Sequence, residues 1–445
     1  MKKIYLFLIG MLCCFPIWAE TVHVSSPGEL KEALMDADFN GTQLKITGTL
    51  NGADLAAIHA ADGRLANVTE LDLSEVSLVA SDDCYSTVST ADDCYLESSS
   101  FYYSETCKRD SIVGSNMLGW EVVRIKVYDN NLAGLFVKNE TYQKVVLPKS
   151  LNKIGSYMFW SSNVQSVVLP SAFTEIEMYA FVSSKVTDVS LPKSCKTIGD
   201  AAFSNSQLTS INLENVTKLG ISTFSGSKLQ GDIKLGELSE VPDGCFSGCS
   251  LSSVTFQKGL KRIGESAFRD DTSLQSLSLP DGLEYIGGRA FWGCGFQTTD
   301  IPKSLMYAGS SAFPKNFKSF DVVDGVCYAG QVAYDYSSAA SSKTSLKFRD
   351  GTLGISKNLA SSIYAPKTTL VSLEIPSTVK MIGGYEQYYY GSGVFQEYSK
   401  LETVVLPEGL EILDNSMFKE CKSLKNINLP NSLQTIQKST FEGCI

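Results

Sequence analysis

The chain has 445 residues, 43% hydrophobic and 19% charged, with 12 cysteines, two histidines and a formal net charge of −10. That is ample apolar material for a large core, with an acidic balance that disfavours nucleic acid and anionic membranes as partners. Only His23 and His59 could supply imidazole, and the chain has no nucleophile elbow, His-Glu zinc motif or phosphate loop, so the sequence points away from catalysis, metal and cofactor.

Lys2 and Lys3 precede an apolar run from Ile4 to Trp18 that ends in Ala19 before Glu20. This predicts a secretory signal peptide over 1–19, too short and wrongly flanked for a membrane span. Lipid attachment through Cys13 or Cys14 would need a small residue just before the cysteine, and Leu12 and Cys13 do not supply one. No later stretch is long enough to span a bilayer. The mature chain is therefore expected to be exported, to the cell surface or extracellular space or to the periplasm, with a net charge of −12 once Lys2 and Lys3 leave with no acid beside them.

Residues 20–77 read as a small α/β N-terminal cap. His23 falls in its first strand. Ser26-Pro27-Gly28-Glu29 offers a helix N-cap, with Leu30, Ala33 and Leu34 on one face. A second helix, carrying His59, is expected over Ala53 to Ala61, and Glu70 to Ser74 looks like the first strand of a stack. Residues 78–112 form an irregular loop rich in Cys and Tyr, with Asp-Asp-Cys-Tyr at 82–85 and again at 92–95. Its paired carboxylates invite a calcium reading, but no Gly-turned loop with a closing Glu follows, so a solvated loop is favoured. In an oxidising compartment two of Cys84, Cys94 and Cys107 are expected to pair, Cys84 with Cys94 being the candidate disulfide.

Residues 113–445 are organised by a recurring unit. Its anchor returns at Leu147, Leu169, Leu191, Leu213, Leu235, Phe256, Leu279 and Ile301, spaced 21 to 23 residues apart, and again at Ile375, Leu406 and Leu429. Weaker anchors fall at Val322 and Phe348, and an irregular start is suggested by Ile125 and Phe136, 22 and 23 residues before Leu147 and Phe159. A period in this range implies a mainly β repeat solenoid, a leucine-rich-repeat-like stack of coils that bury one another's apolar faces.

Within a unit, apolar residues lie two and five before the anchor and four, seven and twelve after it, as in Val186, Val189, Leu191, Cys195, Ile198 and Phe203. The alternation before the anchor predicts a short strand, and successive strands should form one parallel sheet. Pro after many anchors stops the ladder. Gly155, Gly199, Gly220, Gly264, Gly287 and Gly383 suit a second bend needing positive φ, and this bend is less well specified at Glu177, Pro242, Asp414 and Gln437. The Phe at plus twelve should seal the convex side.

Two insertions interrupt the period. At about 323–345, Asp324 to Tyr328, Ala329-Gly330 and Gln331 to Tyr334 read as a hairpin. At 384–394 about eight residues loop out with Tyr385, Tyr388, Tyr389 and Tyr390, which either pack back on the solenoid or form a contact surface. Most cysteines sit in repeat columns as small hydrophobes. Cys421 and Cys444 share a column on adjacent coils, within disulfide reach.

The repeat resembles the BspA-like leucine-rich-repeat family of bacterial surface proteins, whose units read Leu-Pro, Ile-Gly, Ala-Phe, then Cys. The matching residues here are Ala202-Phe203, Ala267-Phe268, Ala290-Phe291 and Ala312-Phe313, with Cys249, Cys294, Cys421 and Cys444, and they extend from about Trp120 onward. The resemblance implies a surface adhesin or host-protein binder, and the Asp-Gly-Val hairpin between repeat blocks resembles one in that family.

The stack offers a ridged sheet for protein or glycan binding. The residue before each anchor faces outward, running from Val146 and Val168 through Ser190, Asn212, Lys234, Thr255 and Ser278 to Asp300, Asp321 and Glu374, then Val405 and Asn428. Either these are solvated strand positions, or the acidic members Asp300, Asp321 and Glu374 contact a partner with a basic patch; Tyr388, Tyr389 and Tyr390 are separate candidate contacts, which a glycan-binding role would require. The expected function is a non-catalytic secreted or cell-surface binding protein, the alternatives being a glycan-binding accessory protein and a structural cell-envelope component. The last unit carries no polar cap at Ile445, which would leave end-to-end self-association open.

Overall fold

The computed structural model describes residues 20–81, 84–89, 112–115, 121–126, 132–383 and 393–444. They fall into two compact units, Met1–Asn130 with Asn139–Ser150 and Asn131–Lys138 with Leu151–Ile445. The signal segment, Cys94, Cys107 and the Tyr388 to Tyr390 loop lie outside the described residues.

The first unit alternates β1 (Glu20–Val24), α1 (Leu30–Asp36), β2 (Gln43–Leu50), α2 (Gly52–Ala60) and β3 (Glu70–Leu78), with β4 at Lys144–Val146. The four strands pair in parallel in that order. Parallel pairing thus begins at Glu20, ahead of the expected first strand. The register steps from β1 to β2 and from β2 to β3 each span a helix, Thr21 to Lys45 and Gln43 to Glu70, and so escape a 22-residue count.

Asp54 explains the helix starts. It is buried, and its carboxylate accepts from the backbone N–H of Gly28 at 2.7 Å, Leu30 at 2.9 Å and Asn51 at 3.0 Å. It completes a capping box on α2 with Asn51 and also caps α1, whose own N-cap residue is Glu29 and has no side-chain bond. The expected cap at Ser26 is therefore displaced by a carboxylate from the neighbouring helix, which serves two orphan helix ends at once.

Part of the segment expected to be irregular is also ordered. Cys84–Ser89 and Ile112–Ser115 flank Glu121–Lys126 in an antiparallel sheet. Ile125 pairs there with Ser86 and so anchors no coil.

The second unit is the solenoid. The strands before the anchors pair in parallel, but in three separate sheets and not the single one expected: Ser166–Val168, Asp188–Val189 and Ser210–Ile211; Gln230–Lys234 with Ser250–Thr255; and Ser345–Lys347, Ser372–Glu374, Thr403–Val405 and Asn426–Ile427, together the first ladder. A second parallel ladder runs through two-residue strands such as Glu175–Ile176, Thr197–Ile198 and Arg262–Ile263.

Between the ladders lies a column of phenylalanines. Phe136, Phe159, Phe181, Phe203, Phe224, Phe246, Phe268 and Phe291 are all fully buried, and successive rings stack at 4.8 to 5.6 Å with interplanar angles of 4 to 13°. The spacing is that of stacked strands, so the backbone repeat sets the ring repeat. Phe395, Phe418 and Phe441 continue the pattern at 5.7 and 5.8 Å.

The bends differ from expectation. Positive φ falls at Tyr157, Tyr179, Ala201, Ser222, Gly244, Ser266 and Arg289, and four residues later at Ser161, Ser183, Asn205, Gly226, Gly248, Asp270 and Gly293. Of the glycines assigned to this role, only Gly383 has it. The others allow coils to approach. A Cβ on Gly199 would lie 2.6 Å from the Met178 nitrogen, and one on Gly220 would lie 2.3 Å from that of Asp200. Where the glycine is missing, the coil still turns. Glu177 folds onto its neighbour, accepting at 3.0 Å from both the N–H and Oγ of Ser156 and pairing with Lys153 at 2.9 Å.

Three residues after each Phe runs a buried polar spine: Ser162, Ser184, Ser206, Ser227, Cys249, Asp271, Cys294 and later Cys421. Its thiols donate to the Phe carbonyl of the preceding coil, Cys249 to Phe224 at 3.4 Å, Cys294 to Phe268 at 3.1 Å and Cys421 to Phe395 at 3.2 Å. Cys421 and Cys444 are both free thiols, each spent on such a carbonyl, so the bridge that their shared column suggested does not form.

In the first insertion, Asp321–Val323, Val326–Ala329 and Val332–Tyr336 make an antiparallel meander. Its second hairpin is the expected one. Asp324 and Gly325, at φ 51 and 90, form a further tight turn, so Val322 is exposed on an antiparallel strand and is no anchor, whereas Phe348 is buried.

Candidate interaction surface

The first ladder alternates buried and exposed side chains, with Val167 inward between Ser166 and Val168, and Leu373 inward beside Glu374. The residue before the anchor points outward along most of the row, from Val168, Ser190 and Lys234 to Glu374 and Val405. Two members have structural work. Asn212 accepts from the Leu191 N–H at 2.8 Å and donates to its carbonyl at 2.9 Å, and Asn428 does the same for Leu406 at 2.7 and 2.8 Å. Each carboxamide replaces the ladder bonds that end at Leu-Pro.

The acidic members are all exposed but do not share one column. Asp300 lies on a segment without strand structure and makes no ion pair among the described residues. Asp321 begins the meander, where Arg349 reaches it at 3.4 Å. That guanidinium also stacks on Tyr328, 4.1 Å from the ring centroid, and donates to the Gly330 carbonyl. Glu374 sits in a different sheet, paired with Lys347 at 2.9 Å. The meander that replaces a regular coil separates the three.

Glu374 nonetheless borders a groove of about 430 Å³, with Val405, Pro376 and Pro407 and the carboxylates of Asp350 and Glu408. Lys347 also approaches Asp350, at 3.9 Å, so two carboxylates face one ammonium. The Glu374 hydrogen bond and the two nearby negative charges raise the Lys347 pKa. Lys347 and Arg349 are ion-pair partners of these carboxylates that the repeat pattern does not mark. They lie 27 and 28 residues from Glu374 and Asp321, off the regular period.

Cys84 opens the strand Cys84–Ser89, but its side chain, like Cys94, falls outside the described residues. His23 bonds Thr47 Oγ1 at 3.0 Å in β1, and His59 lies in α2. Among the described residues no group of His, Cys, Asp and Glu could hold a metal ion, and no helix is long and apolar enough to cross a membrane.

The sequence matches the model of the BspA type leucine rich repeat region in six copies, over residues 133–235, 239–350 and 357–445. No curated protein matches it. Among solved structures it is similar to a leucine-rich repeat protein from Bacteroides ovatus, at 21% identity over 73% of this chain and 82% of that one, with a TM-score of 0.40. It is also similar to a leucine-rich cell surface protein from Faecalibacterium prausnitzii, at 20% identity over 73% and 82% of the two chains, with a TM-score of 0.31. A third is the pneumococcal vaccine antigen PcpA, at 24% identity over 68% and 60%, with a TM-score of 0.24. A family match over more than half of the sequence, on a solenoid whose columns fall where the repeat puts them, makes this chain a member of the BspA-type leucine-rich repeat proteins.

Proposed function

We propose that this repeat protein is exported through its N-terminal segment and binds a host or matrix protein through the outward row of the first ladder, without catalysis. The observation that carries this reading is the row itself. Its side chains vary from coil to coil and most have no task in the fold, while the columns beneath them repeat. The groove beside Glu374, with the carboxylates of Asp350 and Glu408, favours a basic contact from the partner. Glu374 would act as a contact on the row, Asp300 and Asp321 as separate contacts off it, and the Tyr388 to Tyr390 loop as an aromatic one.

The test is capture of immobilised matrix proteins by the mature chain, compared with a variant carrying Asp300→Lys, Asp321→Lys and Glu374→Lys. Loss of roughly tenfold or more in affinity for a captured partner, with an unchanged melt, is expected if one charge-assisted contact is broken. Unchanged affinity would remove the acidic residues from the reading.

A further inference from the structure

β1 is the edge strand of its sheet. Among the described residues it pairs only with β2, in an unbroken parallel register from Glu20 beside Leu44 to Val24 beside Gly48, and no other bond reaches its main chain. Its far side therefore presents alternate N–H and C=O groups without a partner among those residues, the template that an added strand uses. Natural proteins often blunt such an edge with a Lys, a Pro or a bulge. The strand Glu-Thr-Val-His-Val has none of them.

A recess of about 340 Å³ runs along this edge, between β1 and α1. Thr21, Val22 and His23 all line it. Successive side chains of a strand point to opposite faces, and Val22 is buried while Thr21 and His23 are exposed, so a wall made of all three follows the backbone edge. The opposite wall is one stripe of α1 and its caps, with Glu29, Glu32, Ala33, Asp36 and Ala37 at the spacing of a single helix face. Glu29, Glu32 and Asp36 are exposed, and no Lys or Arg lines the recess. Among the described residues the three carboxylates enter no ion pair.

We propose that this recess binds an extended basic segment of a partner protein, which joins the sheet as a strand beside β1. The free backbone groups select extended chain over a compact ligand, and the carboxylates select Lys or Arg. Glu29 to Asp36 spans about 10 Å along the helix, the rise of about three strand residues, so two basic side chains separated by one residue meet the stripe. A second copy of this chain is disfavoured, because pairing two β1 strands antiparallel would set both acidic stripes on one face of the joined sheet. A polyamine would meet the charges and leave the edge unpaired. This inference does not rest on the outward row, none of whose residues it uses.

The experiment is a fluorescence-anisotropy titration of the mature chain with a blocked peptide of alternating Lys and Thr, with a peptide of alternating Glu and Thr and with spermine as comparisons. Two further peptides carry N-methyl groups on the Lys amides or on the Thr amides. The Lys peptide is expected to saturate at one site, the Glu peptide not to bind, and spermine to bind more weakly. In an added strand one alternate set of N–H groups points at β1 and the other away from it, so one methylated peptide should lose binding and the other keep it. Glu32→Gln combined with Asp36→Asn, both at exposed positions, should weaken the Lys peptide by roughly tenfold at low ionic strength, the loss of two exposed ion pairs. No saturation by the Lys peptide, equal effects of the two methylations, tighter binding of spermine, or unchanged affinity in the double variant would each overturn the proposal. The Asp300, Asp321 and Glu374 reversal should leave peptide binding unaltered, and the double variant should leave matrix capture unaltered, so the two readings fail separately.

Discussion

Asp271 stands in the polar spine where other coils place Ser, Cys or Tyr, and it makes the fold's stability depend on pH. It is fully buried between Cys249 and Cys294 of the adjacent coils. Its Oδ2 accepts from the Leu251 N–H at 3.1 Å, while Oδ1 has no partner. Burial raises its pKa from 3.8 to about 6, against the lowering effect of the Leu251 and Ser273 amides. A carboxyl whose folded pKa exceeds its unfolded one favours the fold fully below the unfolded value and loses that contribution as pH rises through the folded value. A shift of about two units corresponds to about 3 kcal/mol, the most that the ionised carboxylate takes from the fold at neutral pH. Asp271→Ser restores the hydroxyl that Ser206 directs to the Phe203 carbonyl at 2.7 Å. The variant is expected to match the native chain near pH 4 and to exceed it by up to about 3 kcal/mol near pH 7.5. The measurement is urea unfolding followed by circular dichroism across that range, read as the difference between the two chains so that other titrating groups cancel. A difference that stays constant with pH would show that Asp271 titrates like an exposed carboxyl and refute the reasoning.

Phe203→Ala removes a fully buried ring held between Phe181 at 4.8 Å and Phe224 at 5.6 Å, and is expected to cost about 3 to 5 kcal/mol in denaturant melts. A loss under about 1 kcal/mol would remove the ring column from the core. Gly220→Ala brings a Cβ to within 2.3 Å of the Asp200 nitrogen and should cost about 2 to 3 kcal/mol. Gly351→Ala, at φ 83 with open space around it, should lose only about 1 kcal/mol of backbone strain, and equal losses at the two sites would contradict the close-approach account. Burial pushes the Cys421 thiol up to about 12, so iodoacetamide should leave it unlabelled in the native chain at neutral pH and modify it on unfolding. Rapid native labelling, or a mass deficit marking a Cys421–Cys444 bridge, would oppose that reading.

The columns were legible in sequence because each coil must bury the same positions, and many coils repeat the same message. Phe203 or Ile198 alone says little, but eleven well-phased anchors leave one architecture. Other features could not be seen this way. A glycine needed for close approach looks the same in sequence as one needed for positive φ, so Gly199 and Gly220 read in sequence as bend glycines although their φ is not positive. The true positive-φ columns are filled with Tyr157, Ala201, Ser222 and Arg289, residues that carry no such signal. Asp54 capping α1 is a contact across 24 residues with no local motif. The counter-ions of Asp321 and Glu374 were hidden because insertions shift them off the period.

Within a solenoid, departures from a column separate by whether the fold answers them. Glu177 enters the glycine column and finds three bonds, two to Ser156 and one to Lys153, so its presence is explained by packing. Tyr157 and Tyr179 take up left-handed backbone at φ 61 and 58, and their rings stack at 5.2 Å beside Trp160. That contact offsets the strain of placing bulky residues there. Asp414 enters the same column as Glu177, yet its Oδ2 gains no hydrogen bond, its own N–H joins no ladder, and the strand before it stands apart. That oxygen is answered only by the Lys357 ammonium, 3.9 Å away, beside a ladder that is open here as it is between Lys218–Leu219 and Glu240–Val241.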